Sequence, residues 1–175
     1  MGKRIFDLAF SIGGLFLFGL PMLAIALWIK LDSPGPALFR QQRVGRGGHL
    51  FHIHKFRTMV ADAPLRGAAI TVGNDSRITR AGQWLRRSKL DELPQLLDVL
   101  AGDMSIVGPR PHAVAHNEQY RKLIKAYMVR HKVKPGITGW AQVNGLRGET
   151  ETVEKMKARV EYDLEYLRNW SLLLD

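Results

Sequence analysis

The sequence predicts an α+β fold, in which a re-entrant membrane segment over residues 1–33 carries a small domain of helices and one β-hairpin over residues 34–175. Three observations lead there. An uncharged apolar run is interrupted by a proline, two β-suited runs flank a glycine-rich turn, and the remaining apolar residues recur at helical spacing. A length of 175 residues suits one domain with its own core. With 26 Lys and Arg against 16 Asp and Glu the formal charge is +10, which calls for anionic partners: nucleic acid, lipid headgroups or a phosphorylated substrate. The absence of cysteine excludes a disulfide framework, a thiolate metal site and thiol catalysis.

From Leu8 to Ile29 there is no charged residue over 22 positions, and a helix rising about 1.5 Å per residue would cover the hydrocarbon core of a bilayer. A buried core helix, a secretory signal peptide ending near Ala24-Ile25-Ala26 and a single kinked span are the competing readings. The flanks bear on the choice. Lys3 and Arg4 precede the run and Lys30, Arg40, Arg43 and Arg46 follow it, so the preference of basic flanks for the cytoplasm applies to both ends. Pro21 removes one helical hydrogen bond and crowds the carbonyl a turn earlier, and Gly13, Gly14 and Gly19 weaken the turns before it. The expected form is therefore a helix hairpin broken near Leu20-Pro21, entering one leaflet and returning.

After Pro34-Gly35-Pro36, the stretch ALFRQQRVGRGGHLFHIHKFRTM reads as a β-hairpin around Gly45-Arg46-Gly47-Gly48. Its charges, Arg40, Arg43, Arg46, Lys55 and Arg57, include no acid, which makes a cationic ribbon fit for phosphates or a membrane surface. His52 and His54 share a strand face, but without an evident third ligand they read as surface polar groups rather than a metal pair. An Ala- and Gly-rich loop runs on through Gly73-Asn74-Asp75, and helical spacing resumes from Ile78 to Leu100, interrupted at Pro94. Further on, Tyr120, Leu123, Ile124, Tyr127 and Met128 fall on one helical face among basic residues. That pattern predicts an interfacial amphipathic helix, with a core helix as the alternative. Val153, Met156, Val160, Leu164 and Leu167 form a second stripe, expected to pack on the domain.

Two features suggest chemistry. Asp91 and Glu92 stand just ahead of the helix that Pro94 opens, with Arg86, Arg87, Lys89 and Arg110 nearby. One reading makes them helix caps, worth about 0.5–2 kcal/mol. The other makes them an ionised nucleophile and its neighbour facing a phosphorylated substrate, a pair that also suits Mg²⁺ held by a carboxylate and substrate phosphates. The residues alone leave both open. Arg110, pinned between Pro109 and Pro111, is either an incidental turn residue or a guanidinium held ready for a phosphate.

The motifs occur together and in order: Lys3-Arg4 with Asp7, the proline-broken apolar run, Gln42-Arg43-Val44-Gly45, Lys55-Phe56-Arg57-Thr58-Met59, Leu90-Asp91-Glu92-Leu93-Pro94-Gln95-Leu96, Gly102-Asp103-Met104-Ser105, Gly108-Pro109-Arg110-Pro111 and Pro135-Gly136-Ile137-Thr138-Gly139. Over nearly its whole length the chain resembles the bacterial sugar transferase family, the monotopic polyprenyl-phosphate phosphoglycosyl transferases. It departs from the family at Leu20-Pro21, where members often carry Ser-Pro, and at Trp170-Ser-Leu-Leu-Leu-Asp175, where relatives continue into another apolar, basic helix.

The resemblance implies transfer of a sugar-1-phosphate from a UDP-sugar to undecaprenyl phosphate at the cytoplasmic face of the bacterial inner membrane, the first membrane step of surface polysaccharide or glycoconjugate assembly. Asp91 would attack the β-phosphate, expel UMP and form an aspartyl phosphosugar. Glu92 would orient or deprotonate the acceptor phosphate, or help to place Mg²⁺ with Asp91. Arg86 and Arg110, with Lys55 and Arg57 of the ribbon, would hold phosphate oxygens. Trp140 leans towards the glucose- or galactose-using members. A non-catalytic membrane-anchored module binding acidic lipid or nucleic acid is the alternative. Nucleic acid is disfavoured because aromatic residues do not interleave with the basic runs. Oligomeric state is left open, a homo-oligomer included.

Overall fold

The computed structural model describes residues 2–63, 75–148 and 152–175. The loop expected up to Asp75 lies outside them from residue 64 to 74. Helix α1 runs from Gly2 to Asp32 and contains Pro21. This corrects the expected two-helix hairpin: the element is one helix, and the proline sits inside it rather than ending it. The reason is energetic. A proline removes one hydrogen bond and bends a helix, whereas the long apolar run on either side keeps every other backbone group paired.

Both ends of α1 are fastened to the same domain. Near its start, Arg4 donates through Nη1 to the carbonyl of Val99 (2.6 Å) and through Nη2 to that of Leu100 (2.8 Å). These are end carbonyls of helix α3 (Gln95–Ala101), where a cation is favoured. Buried Asp7 accepts from Ser105 Oγ (2.8 Å) and the Ile106 amide (2.9 Å) at strand β3 (Ser105–Val107). At the other end, Asp32 accepts from the Ala81 amide (3.1 Å) in the first turn of α2 (Arg80–Ser88). Between them the outer side is bare, with Phe16 92% and Leu20 80% exposed, while Ser11, Ile25 and Ile29 are buried.

The expected hairpin forms. Strands β1 (Leu38–Val44) and β2 (Leu50–Phe56) pair antiparallel, with Leu38 opposite Phe56 and Val44 opposite Leu50. The turn between them needs the positive φ angles of Gly47 and Gly48 (67° and 84°), open to glycine at little cost. Phe51 and Ile53 of β2 pack with Val99 and Met104, and Phe56 packs with Ile25, Ile29, Ala81 and Leu85. The β2 strand thus links the domain core to the carboxyl-terminal end of α1.

Strand β3 pairs parallel with β4 (Gly136–Thr138). The two lie so close that a Cβ on Gly136 would stand 2.1 Å from the Gly108 nitrogen, so the crossing requires glycine. Helix α4 (Val114–Leu123) ends early, and a 3₁₀ turn follows over Tyr127–Lys132. Short α5 (Trp140–Val143) and long α6 (Val153–Asn169) complete the chain. The stripe expected to be interfacial is corrected here. Tyr120, Ile124 and Tyr127 are buried against Met156 and Val160 of α6, with only Leu123 and Met128 exposed. Facing the apolar stripe of α6, that face makes a core rather than a membrane contact. The α6 stripe packs as expected through Met156, Val160 and Leu164.

Candidate active site

Helix α2 ends at Ser88, and Lys89 adopts φ 61°, an uncommon left-handed conformation for a residue with a side chain. That turn swings the chain into a 3₁₀ turn over Leu90–Glu92. Helix α3 starts only afterwards, behind Pro94, without a side-chain cap. The two readings of the acids separate at this point: neither Asp91 nor Glu92 caps the helix. Both line a cavity of about 1210 Å³, together with Lys55, Arg86, Lys89 and Arg110.

The two neighbours have opposite surroundings. Glu92 Oε1 accepts from Lys55 Nζ (2.6 Å) and Arg110 Nη2 (2.5 Å), while Oε2 accepts from Arg110 Nη1 at 3.2 Å. Burial opposes its ionisation, but the hydrogen bonds and charges of Arg110 and Lys55 prevail and hold the carboxyl at about 2. Asp91 is half-buried, and its carboxylate makes no hydrogen bond to the described residues. Burial raises its pKa above the ordinary aspartate value, Lys55 opposes the rise, and the charge of Glu92 adds to it. One acid is therefore locked in an ionic grip, and the other is open and more basic.

The other expected residues divide. Arg86 lines the cavity and donates through Nε to Thr58 Oγ1 (2.9 Å). Arg57 also lines the cavity, but its guanidinium donors are engaged elsewhere. Its Nε donates to the Pro36 carbonyl (2.7 Å), Nη1 to Pro34 (2.8 Å) and Nη2 to Ser33 (2.7 Å), with Ile29 at 3.4 Å. Only 5% exposed, it fastens the end of α1 to the start of β1 instead of offering its donors to a ligand. His54 is held by Asp98, which accepts from its amide (2.9 Å) and lies 2.5 Å from its Nδ1. Among the described residues no three potential metal ligands cluster.

Sequence reasoning missed what lies behind Arg110. The Arg110 carbonyl accepts from Arg130 Nη2 (2.7 Å), and Arg130 Nε donates to Asp163 Oδ2 (2.9 Å). Arg130 Nη1 lies 2.7 Å from His112 Nδ1, which is 2.5 Å from the Tyr127 hydroxyl. Burial and the nearby arginines push the pKa of His112 well down, so its imidazole is neutral and Nδ1 accepts. Arg130 and Asp163 are each 2% exposed and 33 residues apart in sequence, so no local pattern joins them. Arg43, not named among the expected phosphate-binding residues, also lines the cavity; burial and the Arg110 charge lower its pKa to about 10.

A buried frame thus presents paired cations and one open carboxylate to a large cavity, an arrangement suited to a phosphate ester. The bacterial sugar transferase family model matches residues 1–175. The chain belongs to the bacterial sugar transferase family. It is 56% identical over 173 residues to the UDP-glucose:undecaprenyl-phosphate glucose-1-phosphate transferase of Escherichia coli (strain K12), covering 99% of this chain and 37% of that protein. A protein of the same name from Xanthomonas campestris pv. campestris is 61% identical over 155 residues, 88% of this chain and 32% of its own. The exopolysaccharide production protein PSS of Rhizobium leguminosarum bv. phaseoli is 48% identical over 177 residues, covering 99% of this chain and 88% of that protein. The chain spans about a third of the length of the first two relatives.

Proposed function

We propose that the chain transfers a sugar-1-phosphate, glucose-1-phosphate by its likeness to the named transferases, from a UDP-sugar to undecaprenyl phosphate. The observation that carries this is the open carboxylate of Asp91 beside the locked Lys55–Glu92–Arg110 group. Asp91 attacks the β-phosphorus of the donor as its bond to the bridging oxygen breaks, and UMP leaves with that oxygen. An oxygen of the lipid phosphate then attacks the same phosphorus. The lipid-linked diphosphate sugar departs and the Asp91 carboxylate is restored. A carboxyl held at about 2 is a weak base at neutral pH, so Glu92 serves by positioning Lys55 and Arg110 rather than by taking a proton. Arg110 and Arg86 then meet phosphate oxygens as charge builds.

Magnesium fits the donor set in one way. Both Glu92 oxygens are engaged by cations, so Asp91 alone offers open carboxylate oxygens, and substrate phosphates would complete the shell. Bound there, the ion would neutralise phosphate charge. The direct test of the transfer is UMP release and intact-mass detection of a phosphosugar adduct after mixing with UDP-glucose alone. A wild-type chain giving neither would overturn the proposal.

The same reading places the protein at the cytoplasmic face of the inner membrane with both ends of α1 on one side. Support comes from the attachment of Arg4, Asp7 and Asp32 to one domain and from the bare apolar middle between them. Docking of both helix ends on one domain supports placing them on the same face of a bilayer. In a chain without native cysteine, cysteines introduced at Gly2 and Ser33 are expected to be equally protected from an impermeant thiol reagent in whole cells. Labelling at one alone would show a span.

A further inference from the structure

Helix α2 presents different chemistry on its two sides. On the inner side Ala81 and Leu85 are fully buried, and a Cβ on Gly82 would stand 2.0 Å from the Thr58 carbonyl oxygen, so the helix lies hard against the chain that follows β2. Its Arg86 turns to Thr58 and the cavity. On the outer side Arg80, Trp84 and Arg87 succeed one another at i, i+4 and i+7, a single stripe of a helix, and all three are exposed. Close packing of the inner side fixes that stripe in place.

The stripe continues onto α1. The Trp84 ring meets that of Trp28 edge-on, with centroids 5.6 Å apart and planes at 61°, and the two remain 49% and 39% exposed. Leu27 and Leu31 are bare close by in the chain, and Lys30 is exposed between them. One core holds the two helices together: Ala81 and Leu85 are buried with Ile25 and Ile29 of α1, Leu93 packs against the same cluster, and Leu96 meets α1 at Gly14. No acid balances the stripe. Helix α2 contains none, and Asp32, the one carboxylate in the last turn of α1, accepts from the Ala81 amide. Arg80, Arg87 and Lys30 make no hydrogen bond or ion pair among the described residues.

We propose that the Arg80, Trp84 and Arg87 stripe, with Trp28, is a surface for the headgroups of anionic phospholipids. This rests on the membrane placement given above and goes beyond it, because the uncharged run from Leu8 to Ile29 has no means of telling an anionic bilayer from a neutral one. An indole suits the boundary between acyl chains and headgroups, and an arginine one turn away reaches lipid phosphates. A zwitterionic headgroup cancels its phosphate with an ammonium, so cations without acids among them favour the anionic lipid. Binding there holds α2 by its outer side while its inner side carries Arg86 to the cavity. The cavity wall is thereby fastened to the membrane surface.

The test uses the full chain in mixed phosphatidylcholine and phosphatidylglycerol nanodiscs, with Trp140→Phe and Trp170→Phe so that Trp28 and Trp84 report the patch. Bromine is carried on the acyl chains of one lipid or the other, and tryptophan quenching is titrated. Brominated phosphatidylglycerol should quench at a lower mole fraction than brominated phosphatidylcholine. Either Arg80→Gln or Arg87→Gln should raise its half-maximal mole fraction about fivefold, the scale of one cation at an anionic surface. Lysine at both positions should keep most of the preference, and salt at about 1 M, where the screening length is about 3 Å, should remove it. Inorganic phosphate at matched ionic strength should not compete; competition would make the stripe a site for free anions and overturn the assignment to lipid. An emission change with an oligonucleotide in place of a response to phosphatidylglycerol would overturn it too, as would equal quenching by the two lipids or a preference that survives both glutamine replacements. Quenching by neither lipid would instead remove the membrane placement itself.

Discussion

Replacing Asp91 with asparagine is expected to lower UMP release from UDP-glucose by at least about a thousandfold and to abolish the covalent adduct. The amide keeps the size of the side chain in its half-buried place but cannot form an acyl phosphate. Glu92→Gln should behave differently. The nucleophile remains, so adduct still forms, but Lys55 and Arg110 lose the carboxylate that pins them. The pH profile separates the two further. Because burial and the Glu92 charge raise the Asp91 pKa, the carboxylate is lost as pH falls through a value above the ordinary one, and that sets the acid limb of adduct formation. In Glu92→Gln the negative neighbour is gone and Lys55 remains, so the limb should move to lower pH. An adduct present in Asp91→Asn and absent in Glu92→Gln would reverse the assignment.

The second large effect is on stability. Asp163→Asn leaves the guanidinium of Arg130 buried without its counter-charge, and a loss of about 3–5 kcal/mol is expected in denaturant unfolding. A double replacement, Arg130→Met with Asp163→Leu, should recover much of that, since a buried ion pair often contributes little over a well-packed apolar pair. It should not recover adduct formation, because the Arg110 carbonyl then has no Arg130 donor and the turn between Pro109 and Pro111 is less firmly held. Wild-type unfolding of Asp163→Asn, or full activity of the double variant, would remove Arg130 and Asp163 from the support of the site.

These two cases also show what a sequence can and cannot carry. Asp91 and Glu92 are legible because they are adjacent and stand beside a proline that opens a helix. The β-hairpin is legible because its turn needs glycine at two positions. What fails is anything decided by partners distant in the chain. Arg57 looks like any other cation of the ribbon until the end of α1 and the link after it fold beside it and present the carbonyls of Ile29, Ser33, Pro34 and Pro36. The Tyr120–Ile124–Tyr127 stripe is amphipathic whether it meets lipid or α6, and only the fold provides α6. Pro21 predicts a weakened turn, but whether the helix stops there depends on the apolar run around it and on contacts at both of its ends.

One consequence of resting Leu93 and Leu96 on α1 concerns distance. A helix with its side chains is about 10–12 Å across, so Leu93 and Leu96, which follow Asp91 in the chain, stand about one helix thickness from whatever touches the outer side of α1. In the proposed setting α1 acts as a depth gauge, holding the reaction at the level of the lipid headgroups. The acceptor then need not be lifted out of the bilayer. It arrives by lateral diffusion, so the quantity that governs its encounter with Asp91 is its number per unit area of membrane, and thickening the bilayer should change turnover even when that number is constant.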